Sequence, residues 1–319
     1  MNDLNQRLKW LSTSYANDAP IRQDQFWIEQ LLKYQPDLKK RIERTVTQWN
    51  STIRDLIRNE TGLRLNISNG GTTTAQIKVV DGISLPLANV LRHYQQYAEL
   101  LLHEPLLDTT VKGLEFVSSH YDRLYQLAPD RPHEPEIPYY EGEWLKEVLN
   151  ELQSKGFMQS LTLIEEDTLG AYFYRKNRIE IYWVAIGIYA AQLGVSVEGL
   201  TLVTLAHELA HAYTHLGKDI DGIEWDTHDF AHTDLHIVEG LAQFYTRAIC
   251  HKLEQRIPSA LAAFNTLLQN QSPVYQDFQK WAEKSRHQGE IVRFSMIQCR
   301  TVGVTYYKDF WDILHTYRV

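Results

Sequence analysis

"VTLAHELAHAYTHL" (residues 203–216) decides how the rest of the chain is read. Within five residues it holds His207, Glu208 and His211, in a run otherwise dominated by small and apolar side chains. Working outward, Ser196 offers an N-cap, Glu198 stands in the first turn and Gly217 offers a stop, so the pattern predicts one helix over Val197–Leu216. On that helix His207 and His211 share a face, with Cβ atoms about 5–6 Å apart. Two imidazoles so placed can meet on one ion. Glu208 is turned about 100° from His207, which keeps it out of that pair and beside it. Ala206, Leu209, Ala210, Ala212 and Tyr213 suit a helix buried on its other faces, where two unpaired histidines and a carboxylate are costly without a shared partner.

Zinc takes imidazole nitrogens at about 2.0–2.1 Å, and a catalytic zinc site keeps three protein ligands and one open position. A carboxylate next to that position can act as general base toward a water that the ion acidifies. Glu208 is the candidate for this role. For the third ligand, His215 lies a further turn along, too displaced to close a tetrahedron, and reads as a residue facing the helix C-terminal dipole. Glu239 in "HIVEGLAQFY" (residues 236–245) is the better candidate, near the start of a second helix expected from an N-cap at Thr233 to a halt at Pro258. Gly240 follows it directly. An interior helix glycine costs about 1 kcal/mol relative to alanine, and close approach of the two helices is the expected reason for it.

H-E-x-x-H on one helix with E-G-L-A on a later one resembles the gluzincin branch of zincin-fold metallopeptidases, the thermolysin-like arrangement. The resemblance covers about Ser160 to Cys250. It implies Zn²⁺ held by His207, His211 and Glu239, with Glu208 as catalytic base in peptide-bond hydrolysis by a zinc-bound water. It also implies an edge strand before the motif helix, here Arg178–Val184, that pairs with an extended substrate by β-addition, and an uncharged pocket beside the scissile bond. One departure stands out. Gln243 occupies the position, four residues after the ligand Glu, where such enzymes often carry an Asp that orients a zinc-bound histidine; Asp226, Asp229 and Asp234 are possible substitutes. His236, Tyr245, Arg293 and Tyr306 are the candidates for stabilising the developing oxyanion. His228, His232 and His236 recur every four residues and read as loop and first-turn residues.

Around this centre the chain reads as α+β: a zincin-like domain over 136–319 preceded by a mainly helical domain over 1–135 that serves recognition or regulation. In the first part, helices are expected from Asp24 to about Arg58 with a break near Pro36, then a β-hairpin from Leu63 to Val80 turning at Asn69-Gly70-Gly71, then helices over about Leu87–Leu102 and Lys112–Leu127. The four prolines of "APDRPHEPEIPYY" (128–140) mark the boundary. Beyond it come a helix over 143–156, strands at Ser160–Glu165, Gly170–Tyr174 and Arg178–Val184, and a helix over Ala185–Leu193. The C-terminal stretch has helical spacing and should pack under this core. His103 and His133 each precede Glu-Pro without a second histidine four residues on, and read as surface or turn.

Composition bounds the function classes. The chain has 319 residues, 44% hydrophobic and 23% charged, which is the balance of a globular protein. A formal charge of -8 excludes a dedicated binder of nucleic acid or anionic membrane, since both need a positive footprint. The first twenty residues hold no apolar signal segment, and the uncharged run Ile181–Val197 is interrupted by Gly187, Gln192 and Gly194, so neither export nor a membrane span is expected. Cys250 and Cys299 read as packed thiols of a cytoplasmic protein. The expected activity is therefore zinc-dependent hydrolysis of a protein or peptide, with a regulatory partner conceivable for the N-terminal domain. The alternatives are an inactive zincin-fold binding module and a narrow-specificity intracellular toxin or stress protease. An intact Glu208 favours the enzyme.

Overall fold

The computed structural model of the chain describes residues 24–65, 75–102, 104–127, 142–144, 146–147, 160–161, 164, 168–281 and 287–317. Helix follows from the expected signals at its centre. Ser196 Oγ accepts the Gly199 N–H at 2.9 Å and starts the motif helix Val197–Leu216, of which nearly every residue is buried. A helix apolar on all sides needs cover on all sides. The cover comes from both halves of the sequence.

In chain order the elements are α1 (Gln25–Tyr34), α2 (Leu38–Thr61), β1 (Gln76–Val80), α3 (Leu85–His93), α4 (Glu104–Leu127), β2 (Gly170–Phe173), β3 (Arg178–Tyr182), α5 (Trp183–Leu193), the motif helix α6 (Val197–Leu216), α7 (Thr227–His232), α8 (Leu235–Leu253), α9 (Pro258–Gln269), α10 (Gln288–Val302) and α11 (Tyr307–Thr316). Among the described residues the protein is mostly helical with one small three-stranded sheet, an α+β arrangement. The motif helix packs along α2, α8 and α9 and against β2. Glu198 in its first turn accepts from Arg41 of α2 at 2.8 Å, joining the two helices at their edges.

The sheet corrects two expectations. Its order is β1-β3-β2, with β1 parallel to β3 and β2 antiparallel to it. Among the described residues the expected Leu63–Val80 hairpin shows no pairing of its own: Arg64 bridges Lys218, and Gln76–Val80 pairs in register with Arg178–Tyr182. The turn at 69–71 lies outside the described residues. Arg178–Tyr182 is then the central strand, so the edge beside the motif helix is β2. Phe173 and Arg178 close the short connection between β2 and β3, with Asn177 at φ 48°, a left-handed position that asparagine tolerates.

Helix ends differ from the sequence pattern in physically clear ways. Asp234, not Thr233, caps α8, accepting the His236 N–H at 2.9 Å, and the helix stops at Leu253. Pro258 does not halt it but opens α9, since a first-turn proline lacks only an N–H that has no helical partner there. The same logic corrects the first His-Glu-Pro: Glu104 and Pro105 begin α4, and His103 lies outside the described residues, as do His133 and the whole connection 128–141. The expected helix over Leu87–Leu102 breaks into α3, a 3₁₀ turn at Gln95–Tyr97 and a single turn at Ala98–Leu101. Residues 142–144 and 146–147 are helical as expected, with the rest of that helix outside the described residues. Ser160 and Leu161 are helical rather than extended; most of the strand expected there falls outside the described residues.

Gly217 ends the motif helix without a left-handed conformation, at φ -67°. A Cβ there would lie 2.4 Å from the Tyr213 carbonyl oxygen and 2.7 Å from Leu63 Cβ, so close packing against the exit of α2 demands the glycine. The hydrophobic core runs as one cluster from Trp27 to Leu314. The expected division near residue 135 is thus crossed by shared packing, with α2 and β1 contributing to the surroundings of the motif helix. Among the described residues no helix is long and apolar enough to cross a membrane. Cys250 and Cys299 are buried free thiols, each pushed up to about 12 by burial.

Candidate metal centre and cleft

His207 and His211 point their Nε2 atoms at each other across 3.0 Å. Glu239 Oε2 completes a triangle with them, 3.2 Å from His207 Nε2 and 3.5 Å from His211 Nε2. Three ligands about 2.0–2.1 Å from a tetrahedral zinc stand about 3.3–3.4 Å from one another. The triangle therefore has the size of one face of such a site. All three residues are buried, and Glu239 Oε2 has no aligned hydrogen-bond donor despite its two imidazole neighbours. A buried carboxylate oxygen left this way is expensive unless something else occupies its lone pairs. Burial pushes the Glu239 carboxyl up, but the two imidazoles outweigh it and hold the group below its ordinary value. Two imidazoles and one carboxylate are a donor set that zinc accepts.

Two features seat Glu239. The Asp234 cap fixes the start of α8, and the Asp234 N–H donates to the Thr305 carbonyl at 2.8 Å. Gly240 then lets the helix press on an indole: a Cβ there would lie 2.4 Å from Trp281 Cη2. The glycine makes room for Trp281, not for the motif helix as expected. Trp281 is itself held by donating from Nε1 to the Tyr307 hydroxyl at 3.1 Å.

Glu208 takes a different wall. It lines a cleft of about 710 Å³, a volume that includes space open to solvent, together with His207 and apolar side chains such as Leu193, Val203 and Leu267. His211 and Glu239 are not part of that lining, so the cleft reaches the triangle from the side of His207. Gly170, the first residue of β2, sits directly on Glu208. A Cβ at 170 would lie 2.9 Å from Thr204 Cγ2 and 3.1 Å from Glu208 Cγ. Apart from His207, Glu208 and two tyrosines, the described lining is uncharged. Burial pushes the Tyr189 phenol up to about 12, so it remains neutral as well.

Several expected roles go elsewhere. His215 is a core residue: its Nδ1 meets the Tyr172 hydroxyl at 2.9 Å, its Nε2 meets Thr227 Oγ1 at 3.1 Å, and its ring stacks on Phe230 at 4.5 Å. Burial lowers its pKa to about 4, so it does not carry the charge that a dipole interaction requires. Gln243 lines the cleft and donates from Nε2 to Gln271 Oε1 at 3.1 Å. Asp226 and Asp234 cap helices, and Asp229 lies under Gly303. Of the oxyanion candidates, His236 joins Asp277 at 2.5 Å, Tyr245 is buried and donates to Met296 Sδ at 3.7 Å, Arg293 lies over Phe294, and Tyr306 is 66% exposed. None of the four lines the cleft. His228 and His232 stack at 4.1 Å on the exposed helix α7, apart from the His236 contact with Asp277. In an alternative ligand group of Asp226, His228 and Asp229 the first two are exposed and the third is half-buried, and Asp226 is already engaged by two backbone N–H groups.

Sequence reasoning missed Tyr275 and the segment before it. Tyr275 is buried, lines the cleft and holds its ring 6.3 Å from that of His207. Nothing in "QNQSPVY" (269–275) signals such a place, because it follows from the return of the chain after α9. No protein-family model, no curated protein and no solved structure matches the chain.

Proposed function

We propose that the chain is a zinc-dependent metallopeptidase of the gluzincin-like kind, built on a zincin-like arrangement of sheet, motif helix and Glu239 helix. The observation that supports this best is the buried triangle of His207, His211 and Glu239 with a second carboxylate, Glu208, beside it on the cleft wall. Zinc, when bound, supplies a Lewis acid that polarises a carbonyl and acidifies water. His207, His211 and Glu239 would hold it. Glu208 takes the proton of the attacking water on its carboxylate and passes it to the nitrogen of the departing amine. The close approach of Gly170 to the Glu208 side chain limits where that carboxylate can point. The apolar part of the cleft excludes water and accommodates an uncharged side chain, while β2 offers the strand edge for an extended peptide.

In this reading the N-terminal segment shapes the cleft or receives a regulatory partner, and the protein works in the cytoplasm, where its two buried thiols stay reduced. The test compares wild type with Glu208→Gln. The variant is expected to keep stoichiometric zinc and lose about 10²–10⁴-fold in cleavage, read from the new N-termini that each form generates in cells. Matching profiles with metal retained would replace the hydrolase by a binding module. Wild type that carries no stoichiometric metal when purified without chelator would remove the site.

A further inference from the structure

Three carboxamides line the cleft that also holds His207 and Glu208: Gln243, Asn270 and Gln271. Gln243 Nε2 donates to Gln271 Oε1, which fixes the Gln271 amide with its oxygen toward Gln243 and its NH₂ turned away. Asn270 Nδ2 donates to the Thr266 carbonyl at 2.8 Å, which fixes the neighbouring amide the opposite way, nitrogen inward. The backbone beneath is also held, since Gln276 Nε2 donates to the Gln271 carbonyl at 2.9 Å and to the Leu268 carbonyl at 3.2 Å. Two adjacent half-buried side chains thus keep one acceptor, Asn270 Oδ1, and one donor group, Gln271 Nε2, in fixed orientations. A peptide unit presents the complementary pair, one N–H and one C=O.

We propose that Asn270 and Gln271 read the main chain of the substrate, Asn270 Oδ1 accepting a peptide N–H and Gln271 Nε2 donating to a peptide carbonyl. This deepens the peptidase reading and rests on it. It names the substrate class as an extended polypeptide recognised through its backbone, with the apolar part of the cleft left to sort side chains. Gln243 is then a positioning residue that holds Gln271 rather than an orienter of the histidines.

The test measures binding, so that it does not require turnover. Acetylated and amidated octapeptides of alanine around a central Phe-Leu are titrated against zinc-loaded Glu208→Gln, alongside analogues in which single main-chain amides are replaced by esters. An ester removes one N–H donor and leaves the chain length unchanged. At one position the ester is expected to weaken binding about two- to tenfold, the span of a neutral hydrogen bond. That penalty should vanish in Glu208→Gln/Asn270→Ala and persist in Glu208→Gln/Asn270→Asp, which keeps the acceptor. Equal ester penalties in the alanine and asparagine forms, or no binding by any of them, overturn the assignment. Binding that follows the expected pattern while wild type cleaves none of the peptides overturns the hydrolase reading alone.

Discussion

His207 and His211 on one side, and His215 one turn further on, are the same residue type at the same spacing on the same helix, yet their surroundings are opposite. The first two face a buried carboxylate that has no aligned donor. The third has a hydroxyl at each ring nitrogen and an aromatic ring beneath it. Spacing alone does not separate these fates. What separates them is the partner: a carboxylate beside two imidazoles makes a candidate ion-binding face, whereas neutral hydroxyls satisfy an uncharged ring and leave nothing to bind.

The sharpest way to break the contrast is to remove the carboxylate. Glu239→Ala is expected to lower zinc affinity by more than about a hundredfold, beyond the loss that outer-sphere partners give. Because a ligand bound only to the folded state stabilises it, wild type with zinc at a thousand times its dissociation constant should gain about 4 kcal/mol, and the variant should gain almost nothing. Metal analysis and thermal melting with and without chelator read both. Equal metal content in the two proteins would show that Glu239 is not a ligand.

The other end of the helix responds to acid. His215 has a folded pKa of about 4 against an ordinary 6.5, so between these values the unfolded chain binds the extra proton. Its contribution is complete above pH 6.5 and is lost as pH falls from 6.5 toward 4, to a limit of about 3 kcal/mol. His215→Gln keeps a donor and an acceptor but cannot titrate there. Denaturant unfolding of zinc-free protein across that window should show a shallower pH slope for the variant, and zinc content of the loaded protein should be unchanged. Parallel slopes would mean that His215 is not the buried neutral ring described.

A smaller effect sharpens the account of how Glu239 is held. Gly240→Ala places a methyl against the Trp281 ring and should cost about 1–3 kcal/mol of stability by overpacking, measured by urea unfolding. A neutral result would show that the helix and the indole have room to part.

The grouping of His207, His211 and Glu239 was largely readable in sequence because its signals are local. A cap at Ser196, a four-residue histidine spacing and a glutamate near the start of α8 each act within their own helix. The failures share one cause, a partner distant in the chain. Alternation and an Asn-Gly-Gly turn suggested a hairpin, but Gln76–Val80 finds its neighbour about a hundred residues away. The resemblance puts Arg178–Val184 at a sheet edge, and nothing beside it in sequence reveals β1. His215 looked charged because its burial depends on Tyr172 of β2 and on Thr227 and Phe230 of α7, two segments outside its own helix. Gly240 correctly signalled close packing, while the identity of what packs there, Trp281, lay 41 residues on.

The parallel pairing of β1 with β3 also orders events during synthesis. Gln76–Val80 emerges from the ribosome long before Arg178–Tyr182, so the nascent chain carries a strand with an unfilled place beside it. Helices α1 and α2 can form early from local contacts, while the sheet must wait for its middle member. The histidines follow that strand and Glu239 comes later still. The three candidate ligands therefore cannot meet until Glu239 has been made, long after α2 and β1 exist.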